Sequence, residues 1–424
     1  MSVTDRRKFL KTTATASAAL AAPVVAPVAA YAQIKQRFKV RVLGTHVTLQ
    51  EPLRRRAQKE LGIELEFQPG GSAAVLHKAS TRPDSFDLYE QWSNSIPILW
   101  RAKAIQPIDT DRIRAWDEIN PLTKTGRLTP NAKVGLGDAP SKLLYVQPNG
   151  ELGSNASKQA SFLPYVHNVD SFGYNADVVP EGTPYKTESW GWLFDPQWSG
   201  KVALVNAPTI GIFDAALAAQ ARGMVQFRDI GNISRDEMNK LFTVMLDLKR
   251  KGHFRGVWTS VPQSVDLMEK GETVIQSMFS PGVTAVRGRG VRCVYAAPRE
   301  GYRAWHGVMC MSAATEGPTR DAAYEYMNWW LSGWPGAFIA RQGYYISNPQ
   351  RSREHLLGEE WDYWYDGKPA AEDLSGTDGN ICVVKGQRRR GGSYQERFSN
   401  IAVWNTVMDT YEYSLARWHD FLLA

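Results

Sequence analysis

Cysteine is scarce. Cys293, Cys310 and Cys382 are the only three in 424 residues, an odd number without a C-x-x-C spacing. That excludes a zinc or dithiol motif of this type, limits disulfides to one, and leaves buried free thiols as the expectation. The chain also lacks a G-x-G-x-x-G after a strand, a G-x-S-x-G elbow and an H-E-x-x-H helix, the local patterns of dinucleotide binding, serine hydrolysis and zinc proteolysis. His46, His77, His167, His253, His306, His355 and His419 are scattered without metal-ligand spacing, so surface or satisfied core roles are expected of them and no cofactor or metal is implied. A strong charge of either sign is missing too. The formal net charge is +7, too mild for a nucleic-acid stripe or an acidic halo. Long apolar runs are absent: the stretch from Thr12 to Ala32 is rich in Ala, Thr and Ser and contains Pro23 and Pro27, poor material for a spanning helix. There is no internal repeat and no long low-complexity segment.

What is present begins at the N-terminus. Arg6-Arg7 precedes Phe9-Leu10-Lys11, and a weakly apolar run ends Ala30-Tyr31-Ala32 before Gln33. The pattern resembles a twin-arginine export signal over residues 1–32 with small-x-small cleavage, which implies use of that export machinery and a periplasmic mature protein. The leader carries four basic residues and one acid, so its loss leaves the mature chain near +4. Nearly 400 mature residues exceed what one core usually supports, which predicts two lobes.

Strand and helix patterns alternate along the mature chain, which predicts an α/β fold. Phe38 to Leu43 alternates apolar and basic and runs into Gly44-Thr45-His46. A helix is predicted from Glu51 to Leu61, stopped by Gly62, then a strand from Ile63 to Phe67. Arg54, Arg55 and Arg56 read as a solvated face of that helix. Phe86 to Tyr89 leads to Trp92-Ser93, a strand end of the kind at which open α/β sheets bind ligands. Leu163 to Asn175 contains another strand. An aromatic connection from Trp190 to Lys201 feeds Val202 to Val205, and Ser234 with Glu237 has capping-box spacing for a helix to about Lys251. Thr273 to Met278 returns as a strand into Phe279-Ser280. Gln387 to Gly392 reads as a mobile, solvated basic loop.

The order of these motifs resembles the extracellular solute-binding proteins of ABC importers, on the spermidine/putrescine-binding branch. The resemblance runs over almost the whole mature chain. Its carriers are Gly62-Ile63, Phe86-Asp87-Leu88, Phe172-Gly173-Tyr174-Asn175, Trp190 through Leu193, Pro196, Gly200 and Lys201, Met268 through Glu272, and Gly343-Tyr344-Tyr345 through Asn348. It implies a two-lobed periplasmic-binding-protein fold of the type II kind, with crossing hinge strands and a ligand cleft between the lobes. Lobe 1 would hold residues 36–165 and 307–350, and lobe 2 residues 166–306 and 351–424. Such a monomeric protein captures a small solute by hinge closure and passes it to membrane permease subunits; catalysis, cofactors and nucleic acid play no part.

Carried over position by position, the resemblance implies ligand contacts from Thr45 and His46, Trp92 and Ser93, Asn206 and Thr209, Phe279 and Ser280, Trp305 and His306, and Tyr345. Aromatic walls suit an apolar or cationic guest. Polyamine binders place a carboxylate just past the crossing-strand Trp. This chain has Gly307 there, with Ala207-Pro208-Thr209 where other acids are expected, so a buried ammonium would lack a partner. A smaller solute fits better: an amine or betaine, or an aromatic acid. Two alternatives remain open. Ferric-binding relatives use adjacent tyrosines, as in Tyr344-Tyr345, and twin-arginine signals also serve exported enzymes.

Overall fold

The computed structural model describes residues 38–424. The leader expected at residues 1–32 lies outside the described residues.

Local chemistry accounts for the first elements. Helix Glu51–Leu61 has Pro in its first turn, Glu51 at its positive end and Lys59 at its negative end. It buries Leu53 and Ala57, four residues apart, and stops at Gly62, whose φ of 69° suits a residue without Cβ. Helix Arg235–Arg250 starts on the expected capping box of Ser234 and Glu237.

The architecture is set by two long strands, Leu163–Asn175 and Tyr302–Ser312, paired antiparallel in the middle of a 12-stranded sheet. On one side of this pair lie Leu88–Trp92, Lys39–Gly44 and Glu64–Pro69, parallel to one another. On the other lie Ile275–Met278, Val202–Val205 and Phe254–Trp258, again parallel. One long strand ladders to each group: Tyr302–Ser312 to the first and Leu163–Asn175 to the second. Within Tyr302–Ser312, the residues from Gly307 to Met311 pair with Trp92 to Leu88, whereas Tyr302 to Ala304 pair with strand Ile401–Trp404. Within Leu163–Asn175, the residues from Ser171 to Tyr174 pair with Met278 to Ile275.

Two core clusters back the sheet, the first of them also taking in Val205 and Trp258 from the second group. One gathers Val40, Leu53, Phe86, Tyr326 and Trp330, the other Phe172, Trp190, Leu204, Phe242 and Trp418. Trp190 is fully buried and satisfies its indole N–H on Gly301 O at 2.8 Å. The three cysteines are buried free thiols, as expected. Among the described residues no helix is long and apolar enough to cross a membrane.

One expectation needs correction. The basic segment at Gln387–Gly392 is not a solvated loop. Arg389 is only 8% exposed, its guanidinium lying 4.7 Å from the Tyr345 ring centre and 5.0 Å from that of Trp364. It donates to Trp364 O and Gly343 O at 2.7 and 2.8 Å. Arg390 pairs with Glu188 and Glu181 at 2.9 and 3.1 Å. The aromatic faces and carbonyls that draw these arginines inward come from distant segments, so a local charge run does not reveal them.

Candidate functional site

The carboxyl ends of all six parallel strands open onto one cleft of about 990 Å³. From the first group come Thr45 and His46 after Lys39–Gly44, Gly70 and Gly71 after Glu64–Pro69, and Trp92 at the end of its strand. From the second come Asn206 after Val202–Val205, Thr259 after Phe254–Trp258, and Phe279 after Ile275–Met278. Gln342, Tyr344 and residues 376–378 complete the lining. Strand ends are where such sheets leave a crevice, because the chain must turn away into helices on either side.

The returning helices shape the electrostatics. Gln50, Gly71, Ala207, Ser260 and Phe279 are the residues that cap Glu51–Leu61, Ser72–Thr81, Pro208–Ala221, Val261–Glu269 and Ser280–Gly288 at their N-termini, and all five line the cleft. Unpaired N–H groups and positive dipole ends therefore converge on it. The walls are aromatic: Phe279 meets Trp258 edge-on with centroids 5.1 Å apart, and Tyr344 meets Trp305 likewise at 5.3 Å. Besides Tyr344 and Cys382, the ionisable side chains among the lining residues are those of His46 and Asp378, both exposed. Cys382 also reaches the lining, its thiol pushed up to about 11 by burial.

Of the residues the sequence nominates, Thr45, His46, Trp92, Asn206 and Phe279 line the cleft. The others sit just off it. Thr209 is in the first turn of Pro208–Ala221, and Ser93 is buried in the turn after Trp92. Ser280 borders a small neighbouring cavity among arginines. Trp305 is buried behind Tyr344. His306 faces the other side of its strand, with Nδ1 2.8 Å from Gly307 O and Nε2 2.7 Å from Thr123 Oγ1, stacked 4.8 Å from His167. Burial lowers its pKa to about 4. The ring is thus neutral near pH 7: Nδ1–H donates to the carbonyl and Nε2 accepts the Thr123 hydroxyl. Tyr345 packs 4.3 Å from Tyr394 and near His167, whereas its neighbour Tyr344 reaches the cleft. Adjacent residues of an extended segment face opposite ways, so the two hydroxyls do not converge as a metal pair. Among the described residues no cluster of three or more His, Cys, Asp or Glu could hold a metal ion.

Gly307 sits on the crossing strand immediately after His306. A Cβ here would lie 2.7 Å from Val166 O. The ladder has a register irregularity between His306 and Val308 at this point, and no carboxylate side chain fits.

Sequence reasoning missed Gly70–Ser72, Trp258–Pro262, Gln342, Tyr344, residues 376–378 and Cys382. The strand-end rule that located Thr45 and Asn206 would also have found the first two groups.

A family profile described as "Bacterial extracellular solute-binding protein" matches residues 54–352. None of the curated proteins compared with the chain matches it. Solved structures do. A candidate spermidine/putrescine ABC transporter from Listeria monocytogenes is similar with a TM-score of 0.65 at 13% identity, over 90% of this chain and 98% of that one. The spermidine/putrescine substrate-binding protein PotD from Streptococcus pneumoniae, in complex with calcium and HEPES, gives 0.59 at 13% identity over 91% and 99%. The PBP AgtB from A. tumefaciens R10, in complex with agropinic acid, gives 0.55 at 14% identity over 91% and 99%. At these identities the likeness concerns the fold, and it bears out the expected two-lobed α/β architecture with crossing strands.

Proposed function

The chain belongs to the bacterial extracellular solute-binding proteins, and from that premise we propose that it is the solute-capturing component of an ABC importer. The carrying observation is a single cleft lined by strand ends from both sides of the crossing pair. A guest between the two groups of strands favours their approach only through contacts with both, and here both supply them. The lobes would divide near the middle of the crossing strands, as residues 38–165 with 307–350 and 166–306 with 351–424. Rotation about that division would shut the cleft, and membrane permease subunits would read the shut form. The guest is a small organic solute, held by Trp92, Phe279 and Tyr344 as walls and by Thr45, Asn206 and Gln342 as polar contacts. The protein works in the periplasm as a carrier, not a catalyst, and is delivered by the twin-arginine route.

The test is a thermal-shift and small-angle scattering screen of the mature protein against amines, betaines, organic acids and ferric iron. A cleft ligand at ~100 times Kd adds ~2.7 kcal/mol of stability, and closure reduces the radius of gyration. Recovery of the solute unchanged after release supports a carrier, and a product would point to an enzyme. Identical scattering with every candidate overturns the reading.

A further inference from the structure

We propose that the solute held in this cleft is an organic anion, an acidic head on an apolar body. The inference rests on the reading of the cleft as a solute site and adds the sign of the guest's charge.

The wall offers a cation aromatic faces and amide oxygens but no buried carboxylate. Asp378 is the one acid among the lining residues and it stands exposed in water at the mouth. An ammonium drawn inside would shed its hydration without gaining a counter-charge. The same wall collects the positive ends of five helices, each between 9 and 14 residues long, whose capping residues all border the void. Carboxylate or phosphonate oxygens entering there would meet the positive dipole ends and those first-turn N–H groups that proline and the local caps, such as Ser260 Oγ on Gln263 N, leave free.

A second, independent observation lies behind helix Ser280–Gly288. A cavity of about 20 Å³ is bordered by Ser280, Thr284, Arg389, Arg390 and Arg397, and Thr284 also borders the cleft. Arg397 is 1% exposed, lines this cavity, and its Nε has no hydrogen-bond partner. Its other nitrogens donate to the Tyr302 hydroxyl and to the carbonyls of Arg390 and Val169. Arg389 likewise donates to carbonyls alone. Among the described residues neither guanidinium meets a carboxylate. Two desolvated cations without counter-ions therefore stand behind one wall of the cleft, where low polarisability carries their field further than water would. Arg303 lies between Asp170 and Asp214 at 3.5 and 2.7 Å, one cation with two acids, and Glu90 is buried on strand Leu88–Trp92; burial raises all three carboxyls above their ordinary pKa.

Aromatic walls on both sides set the rest of the guest: Trp92 and Tyr344 belong to one group, Trp258 and Phe279 to the other. Flat apolar carbon between them is stabilised by stacking and by loss of hydration.

The experiment uses matched probes of one shape and three charges: phenylacetate, phenethylamine and phenylacetamide, then glutarate, 1,5-diaminopentane and glutaramide, each followed by tryptophan fluorescence and melting temperature at fixed ionic strength. The acid of a set is expected to bind roughly tenfold or more tightly than its amine, with affinity falling as salt rises. A second arm compares Ala73→Glu with Ala73→Gln, an exposed lining position in the first turn of Ser72–Thr81. The glutamate should weaken the acid probe roughly fivefold relative to the glutamine, with the ratio shrinking in salt. An amine or amide that binds as well as its acid, or equal affinities in the two variants, overturns the anion assignment and leaves the solute-binding reading intact. Failure of every probe of every charge to shift either signal removes both.

Discussion

Arg303 Nε donates to Asp214 Oδ1 at 2.7 Å, and both side chains are fully buried. The bond fastens the second crossing strand to helix Pro208–Ala221, whose start lies on the cleft wall. Asp170, on the first crossing strand, stands 3.5 Å from the same guanidinium. One cation thus joins both crossing strands to a cleft-forming helix. Burial raises the carboxyl of Asp214 above its ordinary pKa even though Arg303 pulls the other way, and it raises Asp170 to about 6.

Arg303→Met should therefore cost about 3–5 kcal/mol of unfolding free energy, because it leaves Asp170 and Asp214 buried without their cation. Urea denaturation reads the loss. Adding Asp170→Asn and Asp214→Asn to Arg303→Met should recover part of it, since all three charges then go together. A single-mutant loss under about 1 kcal/mol would show that the pair does not hold the helix.

Glu90 provides a pH test. Its Oε2 accepts from Thr48 Oγ1 at 2.6 Å and from the Tyr165 hydroxyl at 3.1 Å, while Oε1 is unpartnered. Burial outweighs those hydrogen bonds and raises the carboxyl from 4.5 to about 7. A carboxyl raised in the folded state holds its proton more tightly there. Its contribution is full below about 4.5 and is lost as pH climbs through about 7. Between about pH 4 and pH 8, wild type should lose about 3 kcal/mol relative to Glu90→Gln. Taking the difference between the two proteins cancels His306, whose lowered pKa acts with the opposite sign. A difference that stays constant with pH clears Glu90 of this role.

Phe279→Ala opens the aromatic corner with Trp258. Loss of stacking and buried area should weaken a cleft ligand by about 2 kcal/mol, or roughly 30-fold. Titration of tryptophan fluorescence measures it, and unchanged affinity takes Phe279 out of the site.

Gly307→Ala places a Cβ 2.7 Å from Val166 O, between the crossing strands. Overpacking of this kind should cost about 1–3 kcal/mol in thermal or urea unfolding. A neutral outcome would mean that the irregularity at Gly307 relaxes freely.

Much of the fold was legible because its signals are local. Pro52, Leu53, Ala57 and Gly62 mark both ends and the buried face of Glu51–Leu61, and Ser234 with Glu237 marks the start of Arg235–Arg250. The site was legible only to the nearest strand end. Period-two alternation decides which of two neighbours turns inward, and in this chain Tyr344 and not Tyr345 reaches the cleft. Trp305 and His306 turn to opposite faces of one strand, a choice that composition does not disclose. Gln342 and Cys382 reach the lining through tertiary packing of late segments, and no short-range pattern announces them. The burial of Arg389 and Arg397 depends on aromatics and carbonyls far away in the chain.

The two crossing strands remain laddered to each other from Arg303 with Asp170 to Met309 with Leu163, a two-ply ribbon instead of a slack tether. In the proposed closure, rotation of one half against the other would twist that ribbon, with the irregularity at Gly307 as its one break in register. A paired ribbon resists such twisting along its length, so a guest's departure would be followed by recoil toward the natural twist of the strands.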